Sequence, residues 1–448
     1  MRKFVPKPLH WERFFCAFIW IWFFQGRRGH LFSSEEWRRR INEKKEEYLQ
    51  LLSRLVAFPT VSPPARNTRL AQQYVAEYLR NLGMEVDQWE IYPNDDNVVG
   101  RWRGTGGGRS LILNGHIDVA SVEEDEGWRT SPFTLTERDG RLYGRGVADM
   151  KGGLASGLFA LSLLKEAGFV PKGDIIFQSV IGEEVGEAGT QACVQRGYTA
   201  DFAIVMDTSQ MQIQGQGGVI TGWIEIQSPQ TFHDGMRAKL IHAGGGQFGA
   251  SAIEKMAKVI NALQELERHW AVMKSYPGFP PGMNTINPAV IEGGRHPAFV
   301  ADQCKLWITV HFYPDETHER VAKEVEEHVL RMAAADPWLS QHPPRFRWGG
   351  RSMIEEQGEI FPALEVDWQH PGVQLLSRVH EEVNGMPAVH SMSSTVTDAG
   401  WLGRAGIPTV LYGPGSLAQA HAVNESVEWA ELLQYTQTLV RFIEQWCG

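Results

Sequence analysis

The sequence predicts an α/β fold: a mostly parallel sheet sandwiched by helices, interrupted by a smaller α+β layer. Three observations predict it. Apolar runs of strand length alternate with stretches of helical period. Acidic and imidazole side chains follow the strands one after another, where open α/β sheets carry their ligands. Between about Gly217 and Gly350 the rhythm changes to the β-α-β-β-α order of a ferredoxin-like layer.

Taken in order, residues 1–32 stand apart. Phe14 to Phe24 is an apolar, aromatic-rich run followed by Arg27 and Arg28. A bilayer span needs about 20 such residues, and Gln25-Gly26-Arg27-Arg28 offers no small-residue cleavage site. The expectation is a dispensable leader, or a start codon set too far upstream, with an export signal or anchor as the alternative. Residues 33–216 form the first part of the main domain. Ser33 and Glu36 have capping-box spacing ahead of a helix carrying Trp37, Ile41, Leu49, Leu52 and Val56. A helix over Thr68–Leu82 follows, then the short strand Leu111–Leu113. Leu154–Ala167 reads as a helix, and Asp174–Ile181 and Phe202–Met206 as buried strands. Residues 217–350 are the inserted layer, with strands at Gly222–Gln227, Pro288–Glu292 and Lys305–Phe312, and helices at Ala250–His269 and Glu316–Ala335. Residues 351–448 return to the main domain, where Pro408–Tyr412 runs into a Gly-Pro-Gly loop.

A chain of 448 residues buries a large core and divides into two domains. A composition with 43% hydrophobic and 21% charged residues is ordinary for a soluble globular enzyme. The formal net charge of −10 argues against a nucleic-acid partner and an anionic membrane surface. Cys16, Cys193, Cys304 and Cys447 have no C-x-x-C spacing, which points to a reducing, cytoplasmic setting and excludes a thiolate zinc site.

The chemistry centres on Gly144-Arg145-Gly146-Val147-Ala148-Asp149-Met150-Lys151-Gly152-Gly153, four glycines around one acid. Glycines at that density let backbone approach something closely; alone, Asp149 could simply cap a helix. The other strand-end side chains are His116, Asp118, Glu183, Glu184, Asp207 and His421. Two histidines with several carboxylates form the ligand chemistry of Zn²⁺ or a similar divalent ion. The ligand surplus suits two ions about 3.5–4 Å apart, bridged by a carboxylate and a water. His116-x-Asp118 suits either a hydrogen-bonded pair or an acid that fixes a metal-bound imidazole's tautomer.

Asn114-Gly115-His116-Ile117-Asp118-Val119, the Gly144–Gly153 stretch, Gly182-Glu183-Glu184-Val185-Gly186, and Gly413-Pro414-Gly415 followed by Ala420-His421 resemble the M20 metallopeptidase family, from about residue 45 to the end. The resemblance implies two divalent ions, most simply Zn²⁺ with Co²⁺ or Mn²⁺ as alternatives. Their ligands would be His116, Asp149, Glu184, Asp207 and His421, with Asp149 bridging. It makes Glu183 the general base and acid, Asp118 the partner of His116, and His242 an oxyanion-stabilising histidine, in cis or across a dimer. The inserted layer becomes a lid and homodimerisation domain. The implied reaction removes an acyl group from a small N-acylated amine or amino acid, with Glu183 taking a proton from acidified water and returning it to the leaving amine.

The resemblance is nearest to acetylornithine-deacetylase-like members, yet two positions depart from the amino-acid deacylases. Ala298 stands where an Asn is expected after Gly293-Gly294, and His311 where an Arg is expected. A neutral imidazole is a poor substitute for a guanidinium fork. An extra segment, Ser228–Arg237 with His233, precedes His242. The alternatives are therefore an N-formyl-aminopyrimidine deformylase of thiamin salvage or a dipeptidase. A relative that only binds is disfavoured by the retained Glu183, and a phosphoesterase by the lack of a P-loop or Arg clamp.

Overall fold

In the computed structural model, the described residues are 31–64, 66–123, 127–186, 189–350, 352–356 and 358–448. The aromatic run Phe14–Phe24 and Cys16 lie outside them. Leu31 and Phe32, expected to precede the fold, pack against the main core. The Leu31 amide donates to Glu444 at 2.9 Å, and the Phe32 ring meets Trp37 edge-on. Two apolar side chains so close to a buried helix gain more from contact than from water.

The main sheet has eight strands in the spatial order Glu85–Tyr92, Asp95–Trp102, Ile175–Val180, Leu111–His116, Phe202–Val205, Thr409–Leu411, Ile213–Gln216, His390–Ser393. Its four central strands, from Ile175–Val180 to Thr409–Leu411, are parallel. The antiparallel hairpin Glu85–Trp102 edges the sheet on one side. That hairpin escapes a reading by periodicity because Val86, Trp89, Ile91 and Tyr92 of its outer strand do not alternate regularly with polar residues, and the strand is only half-buried or exposed throughout.

Helices Lys151–Glu166 and Trp429–Cys447 pack together against strand Leu111–His116, while Gly189–Gln195 and Ala399–Arg404 pair elsewhere over the sheet. Helix Lys151–Glu166 begins one turn earlier than its apolar run suggests, because Gly152 and Gly153 form its first turn. A Cβ on Gly153 would lie 2.0 Å from the Met206 carbonyl oxygen, so glycine is what lets this helix reach the strand end that leads to Asp207. A Cβ on Gly413, in the opposite loop, would likewise lie 2.1 Å from the Asp207 carbonyl oxygen. The amino-terminal helix divides into Ser34–Glu43, capped by the Ser33 side chain, and Lys45–Val56.

The inserted layer is an antiparallel sheet in the order Ile286–Gly293, Gln303–Phe312, Gly218–Gln227, Arg345–Trp348, with Ile360–Phe361 also against Gly218–Gln227. Helices Ala252–Met273 and His318–Ala334 cover it. Its apolar core, from Ile220 to Leu339, is separate from the core of the main sheet. The pairing of Ile360–Phe361 carries this sheet about ten residues beyond Gly350 before the chain rejoins the main domain.

Candidate active site

The strand-end side chains converge. His116 closes strand Leu111–His116, and Glu183 and Glu184 occupy a short turn after Ile175–Val180. Asp207 follows Phe202–Val205, Asp149 precedes helix Lys151–Glu166, and His421 comes from the loop beyond Thr409–Leu411. The Asp149 carboxylate lies at the centre. Its Oδ1 is 3.2 Å from His116 Nε2, and its Oδ2 is 3.5 Å from His421 Nε2. Asp207 and Glu183 approach His116 Nε2 at 3.6 and 3.9 Å, and Glu184 Oε2 lies 2.7 Å from His421 Nε2. Ligand-type atoms of His116, Asp149 and Glu184 all lie within 4.8 Å of one another.

Asp118 lies beside His116 and also braces the neighbouring turn. His116 Nδ1 is 3.0 Å from the Asp118 carbonyl oxygen and 3.6 Å from the carboxylate. The carboxylate also accepts from the Gly182 amide at 2.9 Å and the Glu184 amide at 3.0 Å. It therefore fixes the turn that carries Glu183 and Glu184.

So many buried acids compete for charge. Burial raises the Glu183 carboxyl well above its ordinary range, with Asp207, Glu184 and Asp149 adding to it and His116 opposing. Burial and then the Asp149 charge push Glu184 up to about 7. Hydrogen bonds to Asp149 and Glu184 raise His421 to about 10. Burial opposes protonation of His116, yet Asp118, Asp149 and Asp207 outweigh it and hold the ring well above its usual value. Glu184 Oε1 is buried with no hydrogen-bond partner among the described residues. An orphaned carboxylate oxygen among four buried acids and two imidazoles fits a site for hard-to-borderline divalent cations.

Reading by motif misses the groups that hold this arrangement. Glu425 looks like a loop acid but is fully buried, with Arg145 against it. Lys151 Nζ donates to the Phe58 carbonyl at 2.7 Å, and burial lowers it to about 7. Behind His116, Asn114 donates to Gln178 and Thr190, and the Thr190 hydroxyl donates to Asp398. The available signal was an acid four residues after His421 in a loop already assigned to the site.

His242 belongs to the inserted layer. Its Nδ1 lies 2.9 Å from Glu254, its Nε2 is buried without a partner among the described residues, and burial lowers its pKa. His233 is exposed on a two-stranded ribbon, Phe232–His233 against Phe299–Val300. The Ala298 carbonyl accepts from the Asp234 amide in the same ribbon. Arg237 is paired with Glu254, and Arg295 with Asp302. His311 faces a crevice between the two domains, shared with Phe279, Asn284, Tyr313 and Ser393.

Residues 112–445 match the family model for peptidase family M20/M25/M40. The chain is 63% identical, over 92% of its own length and 97% of the relative's, to an N-formyl-4-amino-5-aminomethyl-2-methylpyrimidine deformylase of Halalkalibacterium halodurans. A protein of the same description from Bacillus subtilis is 60% identical over 92% of this chain and 97% of that one. An acetylornithine deacetylase of Proteus mirabilis is 27% identical over 91% of this chain and 98% of its own. Among solved structures, a dinuclear metal-binding M20 peptidase from Bacillus subtilis superposes with a TM-score of 0.61 at 15% identity, covering 92% of this chain and 99% of that one. Of the narrower expectations, the relatives of high identity carry the deformylase description and the deacetylase lies much further off. The chain belongs to peptidase family M20/M25/M40, as a metal-dependent hydrolase of amide bonds.

Proposed function

We propose that this protein removes the formyl group from an N-formyl aminomethyl-aminopyrimidine, at a site holding two divalent ions, most simply Zn²⁺. The observation that carries the substrate is the 63% identity to a deformylase of that description across nine-tenths of the chain. The lid supports it: with His311 in place of a guanidinium, and with Arg237 and Arg295 already paired, these positions offer no free fork to read an α-carboxylate.

In this reading His116, Asp149, Glu184, Asp207 and His421 would hold the ions, with His116 and Asp207 on one side of Asp149 and His421 and Glu184 on the other. When bound, such ions acidify water and polarise the formyl carbonyl. Glu183, which stands beside His116 in the turn that carries Glu184, takes a proton from the attacking water and delivers it to the departing amine. Asp118 keeps Glu183 in reach by holding the amides on either side of it. His242, brought over by the inserted domain, donates to the developing oxyanion through Nε2 once that nitrogen is protonated.

A homodimer formed through the inserted domain belongs to the same proposal. Its support is the edge strand Ile286–Gly293, which exposes Val290 at 47% and Ile291 at 53%. A cytoplasmic setting is supported by Cys193, Cys304 and Cys447, all buried and unpaired. No helix among the described residues is long and apolar enough to cross a membrane.

The test is product analysis of zinc-loaded protein incubated with N-formyl-4-amino-5-aminomethyl-2-methylpyrimidine. The expected outcome is equimolar formate and free aminomethylpyrimidine; absence of formate under conditions where another N-acyl amine is hydrolysed would overturn the substrate assignment.

A further inference from the structure

We propose that Arg145 and Glu425 form a buried clamp that sets the spacing between Asp149 and His421 and thereby controls affinity at the His421 half of the metal site. The inference rests on the ligand reading proposed above.

The Glu425 carboxylate is saturated by one loop. Oε2 accepts from the Arg145 guanidinium and the Gly146 amide, each at 2.9 Å, and Oε1 accepts from the amides of Ala148 at 2.7 Å and Asp149 at 3.0 Å. Arg145 reaches back across the gap. Its Nη1 donates to the Ala422 carbonyl at 3.3 Å, and its Nη2 to the carbonyls of Ser121 at 3.2 Å and His421 at 3.3 Å. The side chains of the pair are 1% and 0% exposed. One ion pair therefore joins the backbone of Asp149 to the backbone of His421, two residues far apart in the chain.

The segment it holds is under strain. His421 and Asn424 both sit in the left-handed region, at φ 58° and 60°. Non-glycine residues keep that conformation only where their surroundings impose it. The His421 side chain is 60% exposed, so apart from Glu184 and Asp149 at its tip little besides its backbone fixes the imidazole. His116 and Asp207, by contrast, hang on or beside central strands that are hydrogen-bonded along their length. Loosening the clamp should free His421 and leave the His116 half nearly unchanged. Buried polar groups beyond the ligands are generally worth about 10–100-fold in metal affinity.

The experiment titrates metal-free protein with Co²⁺, following visible absorption and chelator competition, for wild type, Glu425→Gln and Arg145→Lys. Glu425→Gln sets an amide donor against backbone donors. Arg145→Lys keeps the charge but loses the fork. Wild type is expected to take two equivalents. Both variants should bind the first as wild type does and the second about 10–100-fold more weakly, with excess metal restoring turnover. Two unchanged steps, or equal weakening of both, would overturn the clamp. If Glu425→Gln does not fold, Arg145→Lys decides by the same criterion. A single equivalent in wild type would overturn the two-ion reading, and the clamp with it.

Discussion

Glu425 in the main domain and Arg237 in the inserted layer both stand near a candidate catalytic histidine, yet they are held in opposite ways. Glu425 is fully buried and bonded to three amides and a guanidinium. Arg237 is 53% exposed and shares Glu254 with His242, a kind of contact worth at most about 1 kcal/mol. The main domain uses buried polar groups to fix a few backbone positions to within ångströms, which two-ion chemistry requires. The inserted layer keeps the polar groups around His242 near solvent, where they can exchange partners. On the proposed reading, reaction class resides in the first region and substrate choice in the second.

The most severe way to break the first region is Glu183→Gln. It should leave metal content and fold intact and lower kcat by about 10²–10⁴. A loss below tenfold would move proton transfer to another group.

The inserted layer has a buried charged knot of its own, and disturbing it should affect stability without altering chemistry. Asp336 accepts from Lys255 at 2.8 Å, from Lys258 at 2.5 Å, and from the amides of Trp338 and Leu339. Burial works against its charge, yet the two lysines hold its carboxyl well below the usual range. Asp336→Asn should cost the layer about 3 kcal/mol at pH 7, because Lys255 is left buried without its carboxylate. A depressed carboxylate stabilises above its unfolded pKa and loses that contribution as pH falls through the folded value. The gap between variant and wild type should therefore shrink below about pH 4. Hydrogen exchange in helix Ala252–Met273 reads it. A gap independent of pH would show that the substituted amide costs packing and not charge.

The smallest expected effect sharpens the substrate side. His311→Arg should improve kcat/KM for N-acetyl amino acids by about 1.5–3 kcal/mol at most, the worth of one charge-assisted contact, and should not help the formylated pyrimidine. No gain would place carboxylate recognition outside the inter-domain crevice.

The sequence made much of the first region legible because its residues have short, rigid spacings at strand ends: His116-x-Asp118, Asp149 among glycines, Glu183-Glu184. The parallel centre of the sheet was legible for the same reason, since buried Val and Ile runs admit few alternatives. Glu425 was not, because an acid in a polar loop looks the same whether it meets water or Arg145. The Glu85–Trp102 hairpin was hidden by an outer strand whose apolar residues do not alternate regularly with polar ones. Spacing alone could not say that the Asp118 carboxylate, besides lying beside His116, would also accept from two amides of the Glu183 turn. In the second region, Ala298 and His311 stand where the resemblance leads one to expect Asn and Arg, and neither residue names a substrate.

The central claim is that a shared two-ion amide hydrolase core serves a substrate without a carboxylate. Its most direct test is the ratio of kcat/KM for the N-formylated aminopyrimidine to that for N-acetylornithine, on one zinc-loaded preparation. The account predicts a ratio above about a hundred, or roughly 2.7 kcal/mol of differential transition-state stabilisation. A comparable preference for N-acetylornithine would contradict it.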